Sequence, residues 1–322
     1  MPIISIIMPI YNTAEYLEET LTCIAGQTMR DIEIICINDA STDSSLQILE
    51  DMADKDNRIQ IINNSSNQGA AAARNIGLAK AQGQYICFLD ADDIFENIMI
   101  EKEYDAICRY DADIAVVHSA HFKDNPREWN AWEFAWEEQC VSMENNNTGQ
   151  NLICAWEVAP WNKMYKRQFL ERYRLSYQNL KSSNDVYVGV MAVLLAEKIA
   201  LVGSDRPLIL YRTGTDTQIS SKLVPMNTYL AFEAIHDSMI KWNIWDKYFE
   251  SFFSFFYYGM RGQIKSCTNE TESRRAYEYI AQEGLHRLGL FEIPKNRFED
   301  KRLHDRLCNY ISGPYESGWF RT

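Results

Sequence analysis

The stretch ICFLDADDI, Ile86 to Ile94, places three carboxylates directly behind an apolar run. Its first four residues have the length and composition of a buried strand, and Asp90, Asp92 and Asp93 follow where that strand ends. Open α/β sheets bind ligands at this edge. Carboxylates gathered this closely repel one another, and a divalent cation with phosphate commonly compensates them. The stretch therefore predicts a metal and phosphate site or, as the alternative, a helix start that Asp92 or Asp93 caps.

The composition predicts a folded chain with a full-sized core. With 322 residues, 46% of them hydrophobic, the chain is long enough for one large or two modest domains. The net charge of -13 argues against binding of nucleic acid, because such binding depends on clustered Lys and Arg.

Cysteine usage and the apolar runs indicate the compartment. The eight cysteines form no C-x-x-C pair, which is typical of a reducing cytosol. The first residues lack a basic region and a cleavage site, and no apolar run reaches the roughly 20 residues that span a bilayer. We therefore expect a cytoplasmic protein without a signal peptide or transmembrane segment, with peripheral association at the inner membrane face as an open alternative.

Strand and helix patterns alternate in the first part of the chain. Helical spacing follows each of the early strand patterns, and Asn12-Thr13-Ala14-Glu15 resembles a capping box at the first helix. About five β-α units predict an α/β protein with a mostly parallel, doubly wound sheet. The predicted strands of this part are Ile3–Met8, Ile32–Ile37, Ile59–Ile62, Ile86–Leu89 and Ile114–Val117.

The pattern changes after His118. Residues 121–150 hold Trp129, Trp132 and Trp136 among acids and asparagines, which predicts an irregular excursion that serves as a lid or an acceptor-facing loop. Regular patterns return as the strand Asn162–Lys166, the helix Asn184–Glu197 and the strands Ile199–Val202 and Leu208–Arg212.

From Pro225 onward the pattern is helical, and we predict a boundary near residues 215–225. The aromatic run Phe252–Tyr258 predicts helical core, with a contact between two copies of the chain as the second alternative and a membrane-surface patch as the third.

Four groups of residues in the first part stand in an order that is typical of one enzyme family: Pro9-Ile10-Tyr11-Asn12, Asn38 to Asp43, Asn67 to Asn75, and Leu89 to Asp93. Together they resemble the signature of the family 2 glycosyltransferases, which have the GT-A fold. The resemblance is close over residues 3–118 and extends to Ser220 through Trp161-Asn162-Lys163, Asp185 and Tyr211-Arg212. It implies a GT-A (Rossmann-like) domain at 1–220, with a nucleotide-binding part at 1–118 and an acceptor part at 119–220, followed by a helical region at 221–322.

The resemblance implies a nucleoside-diphosphate sugar as donor, with UDP favoured. Asp39 would accept a hydrogen bond from a pyrimidine N–H or, alternatively, close an Asx-type turn. The guanidinium of Arg74 suits a diphosphate, with a solvated helix arginine as the alternative. The positions that match the donor site of the family are Pro9, Tyr11, Asn12, Asp39, Asn67, Arg74, Asp90, Ala91 and Asp92.

Asp90 and Asp92 match the D-x-D pair, which the resemblance assigns to contact with the ribose or sugar and to a divalent cation at the diphosphate. No His/Cys cluster has zinc spacing, so we expect Mn²⁺ or Mg²⁺, which prefer oxygen ligands. Asp93 either supports this pair or caps a helix.

Asp185 is the candidate base that takes the proton of the acceptor hydroxyl. In the family this acid often follows another acid, whereas Asn184 precedes it here, and the alternative role is a favourable charge in the first turn of a helix. Trp161, Asn162 and Lys163 are predicted to bind the acceptor, with core packing as the alternative for the tryptophan.

Arg212 and Ser220 are predicted to belong to a loop that closes over the diphosphate, with a simple strand-end loop as the alternative. The Q-x-x-R-W element of processive synthases is absent. We therefore expect addition of a single sugar. The resemblance further implies inverting transfer to a saccharide or lipid-linked saccharide during surface polysaccharide synthesis. The rival functions are a nucleotidyltransferase, although residues 9–15 show no Gly-rich basic phosphate loop, and a non-catalytic protein that binds nucleotide sugars.

Overall fold

The computed structural model describes residues 1–123, 125–128, 130–131, 137–142, 158–214, 223–312 and 315. Contacts group the chain into two compact units. The first contains the strands, and the second contains residues 180–194 together with the helices from Pro225 onward. The predicted boundary between residues 220 and 221 stays a prediction, and so do the roles of Ser220, Trp129, Trp132 and Trp136, which lie outside the described residues.

Twelve strands are present in the described part of the first unit. They are β1 (Ile4–Ile10), β2 (Ile32–Asn38), β3 (Ile59–Asn63), β4 (Tyr85–Phe88), β5 (Ile94–Phe95), β6 (Ile114–Val116), β7 (Ser119–Phe122), β8 (Asn130–Ala131), β9 (Gln139–Ser142), β10 (Lys163–Lys166), β11 (Lys198–Leu201) and β12 (Ile209–Arg212).

Eight of these strands form one sheet in the order β3-β2-β1-β4-β10-β6-β11-β9. The strands β3, β2, β1 and β4 are parallel, with Ile4 opposite both Ile32 and Tyr85. The mostly apolar, buried runs of β1, β2 and β4 suit this position, because parallel sheets are covered on both faces. β10 enters antiparallel between β4 and β6, so the predicted mostly parallel sheet is present with an inserted antiparallel strand.

A second, four-stranded sheet has the order β5-β12-β7-β8. It was not predicted, because two of its strands have only two residues each and show no periodicity. The described residues of the predicted irregular excursion also contain β9, which pairs antiparallel with β11 at the edge of the large sheet. The prediction of a wholly irregular segment was therefore wrong.

Helices of the first unit cover the sheet with their apolar faces. In α1 the buried side chains Leu17, Leu21 and Ile24 recur at helical spacing. In α3, Gly77 allows the helix to lie directly against the strands, since a Cβ added there would meet Ile7 Cγ2 at 2.4 Å. These helices are α1 (Ala14–Ala25), α2 (Ser45–Ala53), α3 (Ala70–Lys80), α4 (Met99–Tyr110) and α5 (Arg167–Tyr173).

The predicted capping box at α1 was wrong. Thr13 occupies the N-cap position without a side-chain cap hydrogen bond of its own. Instead, Thr13 N donates to Ser45 Oγ at 3.0 Å and Ala14 N donates to Asp43 Oδ2 at 3.0 Å. The N-cap amide and the first amide of α1 are therefore satisfied by Ser45, the first residue of α2, and by Asp43 in the loop before it, contacts that local sequence spacing does not reveal.

The second unit is helical in its described part, as predicted. Within its aromatic run, Phe252, Phe253 and Phe256 are at most 1% exposed, which confirms the prediction of helical core for these residues, whereas Tyr258 at the end of the run is 50% exposed. A long helix begins at Pro225. Proline is tolerated at this first helical position because the N–H that it lacks would have no partner within the helix. The helices are α6 (Val186–Leu195), α7 (Pro225–Lys241), α8 (Trp245–Ser266), α9 (Glu270–Tyr279), α10 (Leu285–Arg287) and α11 (Lys301–Ser312). Within the described ranges, no helix has both the length and the apolar character needed to cross a bilayer.

Candidate donor site

The turn D-A-D-D connects the two sheets. β4 ends at Phe88 in the large sheet, and β5 begins at Ile94 and pairs antiparallel with β12 in the small sheet. The next helix, α4, begins only at Met99, with Ile98 at its N-cap. Asp92 and Asp93 therefore do not cap a helix, and that alternative was wrong because two residues of strand intervene.

Asp90 meets a buried cation. Arg74 Nη2 lies 2.7 Å from Asp90 Oδ1, and the two side chains are 7% and 25% exposed. Arg74 comes from α3, and its burial excludes the alternative of a solvated helix arginine. The pair brings a guanidinium to the end of β4, where the predicted D-x-D motif stands.

Asp92 carries an unfavourable charge in this position. Burial and, next, the charge of Asp90 raise the pKa of Asp92 to about 6. Within the described residues, no group of three or more His, Cys, Asp or Glu side chains could hold a metal ion. The carboxylate oxygens of Asp90 and of Asp92, whose charge is disfavoured by burial, fit Mg²⁺ or Mn²⁺, which commonly take one or two carboxylates and complete their shell with water and substrate phosphate.

Asp93 points into the protein. Its side chain is fully buried, and its Oδ1 accepts a hydrogen bond from Arg212 N at 2.9 Å. Its backbone carbonyl accepts from Thr20 Oγ1 at 2.8 Å. Burial, followed by the charges of Asp92 and Asp90, raises the pKa of Asp93 well above its ordinary value. Asp93 thus joins the turn to β12 and α1, which fits the predicted supporting role.

Arg212 holds the same turn from inside. Its Nε donates to the carbonyl of Asp92 at 2.8 Å, and its Nη2 donates to Glu19 Oε2 at 2.8 Å. The guanidinium lies 4.4 Å from the ring centroid of Tyr16 and 4.6 Å from that of Phe122. The predicted contact of Arg212 with the diphosphate stays a prediction, whereas its contacts with the turn are direct.

Asp39 organises the loop before α3. Its carboxylate accepts hydrogen bonds from Asn64 Nδ2 at 2.8 Å, Gln68 N at 2.9 Å and Gly69 N at 2.7 Å. Gly69 has φ of 89°, a conformation that glycine adopts without strain. Asp39 thus fixes the loop before α3 through long-range hydrogen bonds, whereas the local turn contact is made by Asn38, whose Oδ1 accepts from Ser41 N at 3.3 Å. The predicted contact of Asp39 with a base stays a prediction.

The loop after β1 is fixed against the loop after β2. Asn12 has φ of 53°, and its Oδ1 accepts from Thr42 N at 2.7 Å. Pro9 lies in β1, and Tyr11 is 45% exposed. Among the other predicted donor residues, Asn67 is exposed and Ala91 is buried. The motifs Pro9 to Asn12 and Asn38 to Asp43 therefore lie side by side at the ends of neighbouring strands.

The predicted acceptor residues are buried. Trp161 is 5% exposed and stacks on Tyr211, with ring centroids 5.2 Å apart and an angle of 18° between the planes. Lys163 Nζ donates to the carbonyl of Ala159 at 2.9 Å and to Asn162 Oδ1 at 2.6 Å. These contacts fit the core alternative for Trp161, and acceptor binding by the three residues stays a prediction.

Asp185 stands at the start of α6 in the second unit. Its carbonyl accepts the hydrogen bond of Gly189 N at 2.9 Å. The preceding residues are tied to α7, since Asn227 Nδ2 donates to Ser182 Oγ at 3.3 Å and the hydroxyls of Ser183 and Thr228 are 2.7 Å apart. The role of Asp185 as the base stays a prediction.

Comparison with known proteins places this arrangement in a family. The sequence profile of "Glycosyl transferase family 2" matches residues 5–174. The chain belongs to glycosyltransferase family 2. It is 50% identical over 103 residues to an uncharacterized glycosyltransferase of Haemophilus influenzae, a match that spans 32% of this chain and only 41% of that protein.

The fold of this family 2 chain also has solved counterparts. The structure of S. aureus TarS 1-349 in complex with UDP superposes with a TM-score of 0.73 at 19% identity, covering 97% of this chain and 88% of that one. A mannosyltransferase of Pyrobaculum calidifontis, solved with GDP-Man and Mn²⁺, gives a TM-score of 0.56 at 14% identity, covering 97% of this chain and 86% of that one. The predicted GT-A-type α/β fold with a helical C-terminal region is thereby confirmed.

Several residues around the motifs of this family 2 chain escaped the sequence reasoning. Glu19 and Asn64 bond to predicted site residues, and Tyr177 bonds to Asn75, the motif residue beside Arg74. Asn64 lies in the run Asn63 to Asn67, from which only Asn67 was chosen. Nothing in the spacing singles out Glu19 or Tyr177, because their partners are distant in the chain.

Proposed function

We propose that the chain transfers one sugar, with inversion, from a UDP-sugar to a saccharide or lipid-linked saccharide during assembly of a surface polysaccharide. The observation that carries the proposal is the meeting of Arg74, Asp90 and the partly buried Asp92 where β4 ends. Membership in family 2 and the UDP-bound TarS structure support a uridine nucleotide as the donor.

Each side chain of the donor site has a chemical task in this proposal. The carboxylates of Asp90 and Asp92 would hold a divalent cation, and Arg74 supplies positive charge that suits a diphosphate. Such a cation would supply Lewis-acid stabilisation of the charge on the departing nucleoside diphosphate. Arg212 and Asp93 keep the D-A-D-D turn in place through their contacts with its backbone and with each other.

Asp185 acts as the general base. It removes the proton from the acceptor hydroxyl while that oxygen forms a bond to the anomeric carbon, and the bond from this carbon to the diphosphate oxygen breaks on the opposite face. The sugar configuration is inverted, and the nucleoside diphosphate leaves with the electron pair. The role rests on the matching family position and on the defined place of Asp185 at the start of α6.

Calorimetry with UDP tests the donor site. We expect UDP to bind with Mn²⁺ present and to bind at least tenfold more weakly in EDTA, because without a cation the negative diphosphate would meet the carboxylates of Asp90 and Asp92 directly. The variant Asp92→Asn should lose this dependence on Mn²⁺, whereas Asp105→Asn, an exposed acid on α4, should keep it. Equal UDP affinity with and without cation would refute the metal site.

A panel of nucleotide sugars then tests transfer. With the donor that the wild-type chain turns over, Asp185→Asn should lower turnover by about 10²–10⁴-fold. Its UDP affinity should stay within twofold, because the change removes the base and no diphosphate contact. The variant Asp205→Asn, at an exposed position, serves as the control. Unchanged turnover in Asp185→Asn would remove this residue from the mechanism.

A further inference from the structure

A segment without regular secondary structure packs against the centre of the donor motifs. It follows α5, and Tyr177 within it is only 4% exposed. The side chain of Asn75, the residue after Arg74 on α3, forms two hydrogen bonds with the backbone of Tyr177. Asn75 Nδ2 donates to the carbonyl of Tyr177 at 2.8 Å, and Tyr177 N donates to Asn75 Oδ1 at 2.9 Å. One side chain thus satisfies both polar groups of a buried backbone unit.

This anchoring brings the ring of Tyr177 to Arg74. The guanidinium carbon of Arg74 lies 5.2 Å from the ring centroid, within the range of a cation–π contact. The same ring meets Phe88 edge to face, with centroids 4.9 Å apart and an angle of 75°. Phe88 is the last residue of β4, two residues before Asp90. The ring therefore touches both the strand that leads into the D-x-D motif and the cation that pairs with it.

Arg74 needs such a support. An arginine side chain has many rotamers, and a planar guanidinium binds oxygen anions well only in a defined orientation. The ring restrains this plane on one side while Asp90 accepts from Nη2 at 2.7 Å. Removal of the ring would leave the ion pair in place but would widen the range of guanidinium orientations.

We propose that Tyr177, held by Asn75, is a positioning residue that sets the orientation of Arg74 for binding of the donor diphosphate. The inference rests on the proposed function, since it assigns Arg74 to the diphosphate. It adds a segment beyond α5 to the machinery of the donor site. It also assigns a task to Tyr177, which the motifs do not include, and to Asn75, which stands in a motif but was given no role.

The test measures UDP affinity by calorimetry in the presence of Mn²⁺. Tyr177→Leu fills similar space without an aromatic face, and we expect its Kd for UDP to rise about 3–10-fold, the range that corresponds to the strength of a cation–π contact. Tyr177→Phe keeps the ring and should restore the affinity to within twofold. Asn75→Ala should weaken binding in the same direction as Tyr177→Leu.

Tyr173→Leu is the matched control. Tyr173 lies nearby on α5, and its ring has a cation–π contact with Arg172 at the same 5.2 Å, but Arg172 belongs to no donor motif. We expect its UDP affinity to equal that of the wild type. If the loss of any tyrosine–arginine contact in this region lowered UDP affinity, Tyr177→Leu and Tyr173→Leu would lose affinity to the same extent. That result would overturn the proposal.

A double-mutant cycle separates positioning from general stability. In the Arg74→Gln background, Tyr177→Leu should cause no further loss of UDP affinity, since its effect acts through Arg74. Additive losses would overturn the proposal, and so would wild-type affinity in a folded Tyr177→Leu variant; both leave the proposed function standing. A wild-type chain that binds neither UDP nor any nucleotide sugar would instead refute the proposed function and this inference with it.

Discussion

The guanidinium of Arg212 joins three elements at one point. It donates to the carbonyl of Asp92 in the D-A-D-D turn and to Glu19 on α1, and it lies against Phe122 of β7. Lysine cannot reproduce this set of contacts, because an ammonium group is not planar and lacks the separate Nε donor. The identity of the residue therefore matters beyond its charge.

We predict that Arg212→Lys lowers the free energy of unfolding by about 1–2 kcal/mol, since a buried carbonyl and an ion pair lose their geometry. Urea titration followed by circular dichroism measures the change. Arg206→Lys is the control, because Arg206 pairs with Glu96 at 2.9 Å while remaining 55% exposed, and exposed pairs contribute about 0–1 kcal/mol. If Arg212 served only the diphosphate, the variant would lose UDP affinity at unchanged stability.

At the scale of elements, close packing of α3 on the large sheet fixes the position of Arg74. A Cβ at Gly77 would lie 2.4 Å from Ile7 Cγ2 and 2.8 Å from Ile37 Cδ1, so the helix touches β1 and β2 directly. Both isoleucines are fully buried and cannot move aside easily. The distance between α3, which carries Arg74, and the strands β1 and β2 is therefore one that only glycine at position 77 permits.

We predict that Gly77→Ala lowers the free energy of unfolding by about 1–3 kcal/mol, because overpacking outweighs the better helix propensity of alanine. Gly262→Ala in α8 is the matched control, since a Cβ there would meet nothing within 4 Å. It should stabilise by up to about 1 kcal/mol. Equal stabilisation of the two variants in urea unfolding would contradict the close contact of α3 with the sheet.

At the scale of the whole molecule, stability depends on a buried acid as well as on the surface charges. Glu103 of α4 is 1% exposed and lies near the Cys87 thiol, with Sγ 4.0 Å from Oε2. Burial raises the pKa of Glu103 well above its ordinary value, and the positive charge of Lys163 opposes part of this rise. The folded chain therefore favours the protonated form of Glu103 more than the unfolded chain does.

The raised pKa of Glu103 determines how the stability of the chain changes with pH. The contribution is fully present below the ordinary pKa of glutamate and is lost as the pH rises through the raised folded value. We predict that the free energy of unfolding of the wild type declines toward alkaline pH more steeply than that of Glu103→Gln, which cannot ionise. Asp105→Asn, an exposed acid on the same helix, should follow the wild-type curve. Parallel curves for wild type and Glu103→Gln in urea titrations across the pH range would show that Glu103 does not behave as a buried acid.

Local patterns in the sequence were enough to predict the strands of the parallel core and the place of the acids behind β4. The run Ile86 to Leu89 is apolar over the length of a strand. Such a pattern involves only a few neighbouring residues, so it can be recognised without knowledge of the fold. The order of the motifs was likewise enough to identify the family. The short strands β5 and β8 were missed because two residues carry no period.

The sequence by itself determined that ICFLDADDI is a strand end carrying acids, because chain direction and side-chain polarity are local properties. Only the tertiary structure decided what those acids contact. Arg74 meets Asp90 across 16 positions of the chain, and Arg212 meets Asp92 across 120. Such partners are chosen by sheet order and helix packing, and these follow from burial of apolar surface throughout the first unit, which spacing along the chain does not encode.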